Sequence, residues 1–342
     1  FVMATLRSDI IIPEVFTPYV IEQTTQRDAF LASGVVQPMA ELNASEDGGD
    51  FVQVPFYKAN LSGDFERLTD SSSLTPGKIE ADKQVGVILH RGRAFEARDL
   101  AALAAGSDPM AAIGNKIADY IANQRQKDLL SCLAGVFGAV DDTSSASYAA
   151  LAVDGTTGDT PTVLGPRQIV EGKSILGDQG EKLTAIAMHP KVYYDLMERR
   201  AIDMIYDNTG APDTAAAQGS TAPAFGSVQV PTFMGLRVIV SADLQTTGSG
   251  SSTEYATYLF TQGAIGSGEQ LGLQTETDRD ILAKSDAMAI DLHYCFHPIG
   301  SKFSTSVSNP TRAQLETVGN WTKVYETNNI GIVRITNTSN LD

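Results

Sequence analysis

The chain has 342 residues, 42% of them hydrophobic and 19% charged, with 41 Asp and Glu against 25 Lys and Arg. That balance fits a large globular core rather than a disordered polymer. A formal charge of −16 argues against a surface that grips nucleic acid, because it repels phosphate at long range. No run of 18 apolar residues reads as a membrane span, and two cysteines, Cys132 and Cys295, point to a reducing compartment rather than a disulfide scaffold.

The opening "FVMATLRSDIII" lacks a long apolar core and a small-residue cleavage site, so no secretory signal is expected. Met3 reads as a natural start, with proteolytic trimming as the alternative. Residues 1–16 look extended, and Thr17, Pro18 and Gly34 mark the cap, first turn and stop of a weakly amphipathic helix. "DFVQVPFYKA" alternates, with Val52, Val54 and Phe56 on one face. "KIEADKQVGVILHR" alternates too, with Ile79, Ala81, Val85, Val87 and Leu89 opposite Glu80, Asp82 and Gln84. The polar stretch between them makes a long hairpin, which is marginal alone and must lie on something. Residues 107–138 carry the longest helix signal, from Ser107 and Pro109 to Gly138, with a polar middle "NQRQKD". About thirty residues at ~1.5 Å each give a rod of roughly 45 Å. Residues 139–165 read as loop, "PRQIVEGKSILGDQG" as a short helix, and 207–225 as a second loop. "GLRVIVSADL" and "YATYLFTQGAIGSG" read as short strands, and 288–297 as a longer alternating one.

Candidate chemistry is sparse. "EGKS" at 171–174 evokes a phosphate loop, but Arg167 stands where its first glycine belongs. His293 and His297 would flank an ion on a helix. On a strand they lie roughly 13 Å apart, so His293 and Cys295 would need ligands from elsewhere. Cys132 sits inside the long helix pattern, where a thiol acts as a small hydrophobe. The glycines of "GAIGSGEQLG" miss the dinucleotide spacing. In "LTAIAMHPKVYYDLMERR", His189 falls between an apolar strand and a helix opened by Pro190, which is a capping position.

Together, "AIAMHPKVYYDLMERR", "GLRVIVSADL", "YATYLFTQGAIGSGEQ" and "ETDRDILAKSDAMAIDLHYCFHPIGSKF" resemble the major capsid (coat) proteins of tailed bacteriophages, with the HK-ninety-seven-type fold. "SNPTRAQLETVGNWTKVYETNNIGIVRI" resembles the end of coat proteins in one phage subfamily. The resemblance spans nearly the whole chain. It implies an α+β phage capsid fold, with 1–48 an N-terminal arm and 49–100 an extended-loop hairpin. Residues 101–160 and 270–308 would form a peripheral domain with a spine helix, 161–269 an axial domain, and 309–342 a C-terminal segment. It also implies a self-assembling icosahedral shell of pentamers and hexamers around double-stranded DNA, found in the virion and assembled in the host cytoplasm. Portal, scaffolding and cement proteins are the implied partners. No catalytic, cofactor-binding or metal residue, and no cofactor, is expected. Some relatives crosslink a loop lysine to an asparagine. Lys58, Lys78 and Lys83 lie in the hairpin here, but no acceptor or assisting acid matches. Rival readings are an encapsulin-type nanocompartment shell and a soluble enzyme using His189 or the His293/Cys295/His297 strand.

Overall fold

The computed structural model describes residues 30, 33–43, 49–58, 65–67, 77–100, 103, 109–140, 146–155, 162–199, 201–207, 228–249 and 253–341. The first elements are β1 (Val36–Pro38), β2 (Phe51–Tyr57), β3 (Ala81–Val87), β4 (Leu89–Arg98) and α1 (Pro109–Phe137). β5 (Ala152–Asp154), α2 (Pro166–Ile175), β6 (Leu183–Met188), α3 (Pro190–Glu198) and β7 (Asp203–Asp207) follow. Then come β8 (Val228–Phe233), β9 (Leu236–Val240), β10 (Thr246–Thr247), β11 (Glu254–Thr261), β12 (Ile265–Asp280) and β13 (Ser285–Pro298). The chain closes with β14 (Ser301–Phe303), α4 (Arg312–Leu315), β15 (Trp321–Lys323) and β16 (Ile332–Asn337).

Among the described residues the strands make three sheets. One runs β1-β12-β13-β4, with the long β12–β13 hairpin as its spine. The second runs β5-β16-β11-β6-β9-β8-β7, with β10 paired to β11. The third, β15-β14-β3-β2, holds the root of the 49–100 hairpin. One large apolar cluster joins helices and sheets, and a small one of Leu42, Val52 and Ile88 lies under the hairpin root.

The long helix packs on β13, β4 and α4. Its Leu129, Leu133 and Phe137 are buried, as their helical spacing predicts. Pro109 opens it, and Gly138 closes it at φ +74°. The fully buried Arg334 of β16 then donates Nη1–H to the Gly138 carbonyl at 2.9 Å. A cation at this end suits the helix dipole and ties the helix to the second sheet.

Several expectations change. The middle of α1 is not a solvated stretch: Asn123, Gln126 and Asp128 are buried. The 139–165 segment is not all loop, because β5 pairs with β16 and Tyr148 and Leu151 are fully buried. "KIEADKQVGVILHR" is two strands in different sheets, switching at Ile88, and Gln84 through Leu89 are buried on both faces. The strand begun at "AIGSG" runs on through "LGLQTETDRD", so the boundary expected at 269/270 falls inside β12. The helix expected from Thr17, the Ser107 cap and the loop at 208–225 lie outside the described residues.

Gly135 shows how tightly α1 is packed. A Cβ there would meet the Leu315 carbonyl oxygen at 2.0 Å and Trp321 Nε1 at 2.3 Å, groups that already bond each other at 2.7 Å. Gly114, in the same helix, has open space. Gly135→Ala should therefore destabilise by roughly 1–3 kcal/mol through overpacking. Gly114→Ala should stabilise by about 1 kcal/mol through helix propensity. Urea unfolding of the soluble subunit checks both, and a more stable Gly135→Ala would contradict the packing.

Candidate functional site

The residues singled out from the sequence occupy structural positions. His189 is the N-cap of α3, and its Nδ1 accepts the Lys191 backbone N–H at 3.3 Å while the ring leans on Tyr255 at 4.8 Å. The "EGKS" residues lie within α2, where Gly172 packs on Leu259 and Lys173 reaches Glu181 at 3.9 Å. Helix-interior amides are already bonded, so they form no phosphate cradle. Cys132 is buried, its thiol 3.9 Å from the Phe296 carbonyl, and burial pushes that thiol well up. Cys295 is likewise pushed up to about 12 by burial. Neither has the depressed pKa of a nucleophile. His293 pairs edge-on with His90 at 4.3 Å, and His90 Nε2 lies 3.4 Å from Asp50. Among the described residues no group of three His, Cys, Asp or Glu side chains is placed to hold a metal. Lys58 and Lys78 share Glu80 at 3.0 and 3.2 Å, and Lys83 donates to Gln53 at 2.8 Å.

Two other places gather polar side chains. The first is a cleft of about 330 Å³ between α1 and the β4–β13 face, bordered by Arg91, Arg93, Arg125 and Arg312. At its base Asp128, fully buried, takes Arg91 Nε at 3.1 Å, Arg312 Nε at 2.5 Å and the Tyr294 hydroxyl at 2.6 Å. Burial, and then Asp128 itself, push the Tyr294 phenol up, so it stays a donor. Arg125 lies over the Tyr294 and Phe296 rings at 5.3 and 5.6 Å and pairs with Glu269 at 2.8 Å.

The second is the hairpin root. Gln84 of β3 takes His297 Nε2–H at 3.2 Å and the Gly300 N–H at 2.9 Å on its Oε1. Its Nε2 donates to the Tyr325 hydroxyl at 2.8 Å. One side chain thus binds the hairpin to β13, to the turn after it and to the C-terminal segment. The "GAIGSG" glycines act here too: a Cβ on Gly268 would meet the Leu42 carbonyl oxygen at 2.4 Å, and one on Gly266 would meet Leu42 and Met39 under 3 Å. They let residues 39–42 cross close over β12, where Gln270 Nε2 donates to the Leu42 carbonyl at 2.7 Å.

A family model described as Gp13-like, major capsid protein 13-like, matches residues 14–330. The chain belongs to this major capsid protein family. The major capsid protein of Bacillus phage SPP1 is 34% identical over 336 residues, which cover 96% of each chain. The capsid subunit of cyanophage Pam1 superposes with a TM-score of 0.59 at 11% identity, covering 96% of this chain and 98% of that one. The capsid of Ralstonia phage GP4 gives 0.58 at 13%, with 96% of both chains covered. Those two likenesses concern the fold, and it is the α+β phage capsid fold that the sequence resemblance implied. As a major capsid protein the chain is a structural component of the phage virion. No helix among its described residues is long and apolar enough to cross a membrane.

Sequence reading passed over Asp128, the cleft arginines and Gln84, which lie in polar stretches with distant partners. Its weighing of His297 as a ligand gave way to a buried structural role. Burial holds the His297 imidazole neutral, its pKa lowered to about 4 from about 6.5. Below pH ~6.5 the unfolded chain binds a proton that the folded chain refuses until pH ~4, so stability falls with pH across that window. The full loss is on the order of 3 kcal/mol. His297→Gln should flatten this part of the profile, read as urea midpoints of the soluble subunit at pH 7 and pH 4.5. Equal slopes in variant and parent would refute it.

Proposed function

We propose that the chain performs its capsid role without any catalytic step, cofactor or metal, as a subunit that tiles with itself into a closed icosahedral shell around double-stranded DNA. The observation that carries this is the full-length, 34% identity match to a phage major capsid protein. The fold supplies a supporting reason. The hairpin rooted at β2 and β3 presents Tyr57, Phe65 and Ile79 as exposed large hydrophobics, more than a lone subunit would keep in water. Laid on a neighbour, such a surface is covered, and repetition around a shell adds up modest contacts. We assign residues 1–48 to an arm, 49–100 to the extended loop, and the β6–β11–β16 sheet to an axial domain. The β12–β13 sheet with α1 is the peripheral domain, and 309–342 is a closing segment that feeds β16 into the axial sheet. Portal, scaffolding and decoration proteins are the further partners. A strongly acidic chain encloses DNA without holding it.

The nanocompartment reading is not favoured, because the family and its relatives are phage capsids. The enzyme reading is weakened because its candidate residues are already engaged in capping, packing and strand contacts.

Purified full-length subunits, with their phage scaffolding partner where one is needed, should form closed particles by electron microscopy. Deleting Thr69–Thr75 should leave the subunit's thermal melt intact but abolish normal particles. A chain that remains monomer or dimer under all such conditions would sink the shell reading, and normal particles from the deletion would remove the hairpin from it.

A further inference from the structure

The hairpin of β12 and β13 ends in an apolar turn that no described residue covers: Ile281 is 80% exposed and Leu282 97%. The turn is held firmly. Asp280 Oδ1 accepts the backbone N–H groups of Leu282 at 2.8 Å and Ala283 at 3.0 Å. Arg279 bridges Asp286 at 2.6 Å and Asp99 at 2.7 Å, which fastens β12 to β13 and to the residue that follows β4. The three strands make a stiff finger with two large apolar side chains at its end. A pre-ordered apolar tip loses little entropy when it docks. Three carboxylates, Asp278, Asp280 and Asp286, lie within four residues of it, beside Arg279 and Lys284.

The cleft beside α1 has complementary features. In a chain of formal charge −16 it gathers four arginines, with Ile121, Ile290 and Leu292 as apolar lining. Arg91 and Arg312 are engaged with Asp128, and Arg125 with Glu269. Arg93 is exposed and, among the described residues, meets no carboxylate.

We propose that this cleft seats the finger tip of a second copy of the chain, with Ile281 and Leu282 entering against the apolar lining and the flanking carboxylates meeting Arg93 and its neighbours. The inference rests on the shell reading and names one contact within it. Cleft and tip share β13. From Ile290 in the cleft to Ser285 at the tip is five residues, roughly 17 Å along a strand. A rigid finger cannot bend back that far, so a subunit does not fill its own cleft. Tip-to-cleft docking is therefore head-to-tail, and head-to-tail contacts close into a ring where the rotation permits. The contact would build a ring of fingers around a local symmetry axis of the shell.

The test uses full-length subunits. Leu282→Cys subunits are mixed with Arg93→Cys subunits, assembled, and treated with a short bismaleimide, which the buried Cys132 and Cys295 do not reach. A linked dimer from the mixture, and from neither variant alone, is the expected result. Ile281→Asp/Leu282→Asp subunits should keep the parental thermal melt and lose particle formation. If that variant misfolds, the crosslink decides. Leu282→Cys linking to itself, or DNA shielding Arg93→Cys in place of a crosslink, would each overturn the proposal. So would normal particles from the double variant. Those outcomes leave the shell reading standing, whereas a parental chain that forms no particles would overturn both.

Discussion

Asp128 is fully buried, and side chains from three other elements converge on it: Arg91 from β4, Tyr294 from β13 and Arg312 from α4. Taking a carboxylate out of water is expensive, and the expense is offset only when all its partners are in place. Removing any one leaves a buried carboxylate short of a hydrogen bond, so the helix, the two strands and the C-terminal turn are favoured in one arrangement. Such a cluster is a weak source of net stability compared with apolar packing, but a strong source of geometry. Arg312 also binds Gln124 through its carbonyl at 3.2 Å and its side chain at 2.7 Å, and Arg91 binds the Pro310 carbonyl at 2.8 Å. The cleft owes its positive border to these same arginines. The constraint that fixes α1 on its sheet therefore also gathers arginines at one place on an acidic protein.

A second constraint acts at the hairpin root. Glycines remove side chains where backbones must nearly touch, and Gln84 satisfies three groups from distant parts of the chain at one point. A Cβ on Gly86 would stand 3.0 Å from the Cys295 sulfur, so a side chain on β3 here would press on those of β13. Beyond this root the hairpin changes character. Gln84 through Leu89 are buried, whereas Tyr57 and residues 77–81 are exposed. A rigid root lowers the entropy that its exposed side chains lose on docking.

What could be read from the sequence was what neighbouring residues decide. Pro109 and Gly138 bracket α1 because a helix's first turn tolerates proline and its end favours a left-handed glycine. His189 reads as a cap because Pro190 follows it, and the capping bond spans only two residues. Asp128 could not be read this way. Its partners stand 37, 166 and 184 residues away, and nothing in "NQRQKD" distinguishes a buried carboxylate from a solvated one. The far half of β12 was hidden for a related reason. "LQTETDRD" has no apolar alternation, and it is a strand because β13 pairs with it from Gln274 to Asp280. The glycines of "GAIGSG" were visible, but their reason was not: it is the segment at 39–42 lying across them, more than 200 residues earlier in the chain.

Charge then explains how these features work together. Subunits carrying −16 each repel one another, which keeps free chains soluble and discourages indiscriminate contact. At physiological salt that repulsion fades beyond about 8 Å, so two subunits feel mainly the groups directly between them. Only contacts that set cation against anion, or cover apolar surface, can then overcome the background. The arginine cleft has the first character, and the exposed side chains of the hairpin and finger have the second. An acidic surface interrupted by a few such places favours one arrangement of neighbours over the many that simple stickiness would allow. Each contact can stay weak enough to be corrected during assembly, because closure of the shell makes the contacts hold one another in place.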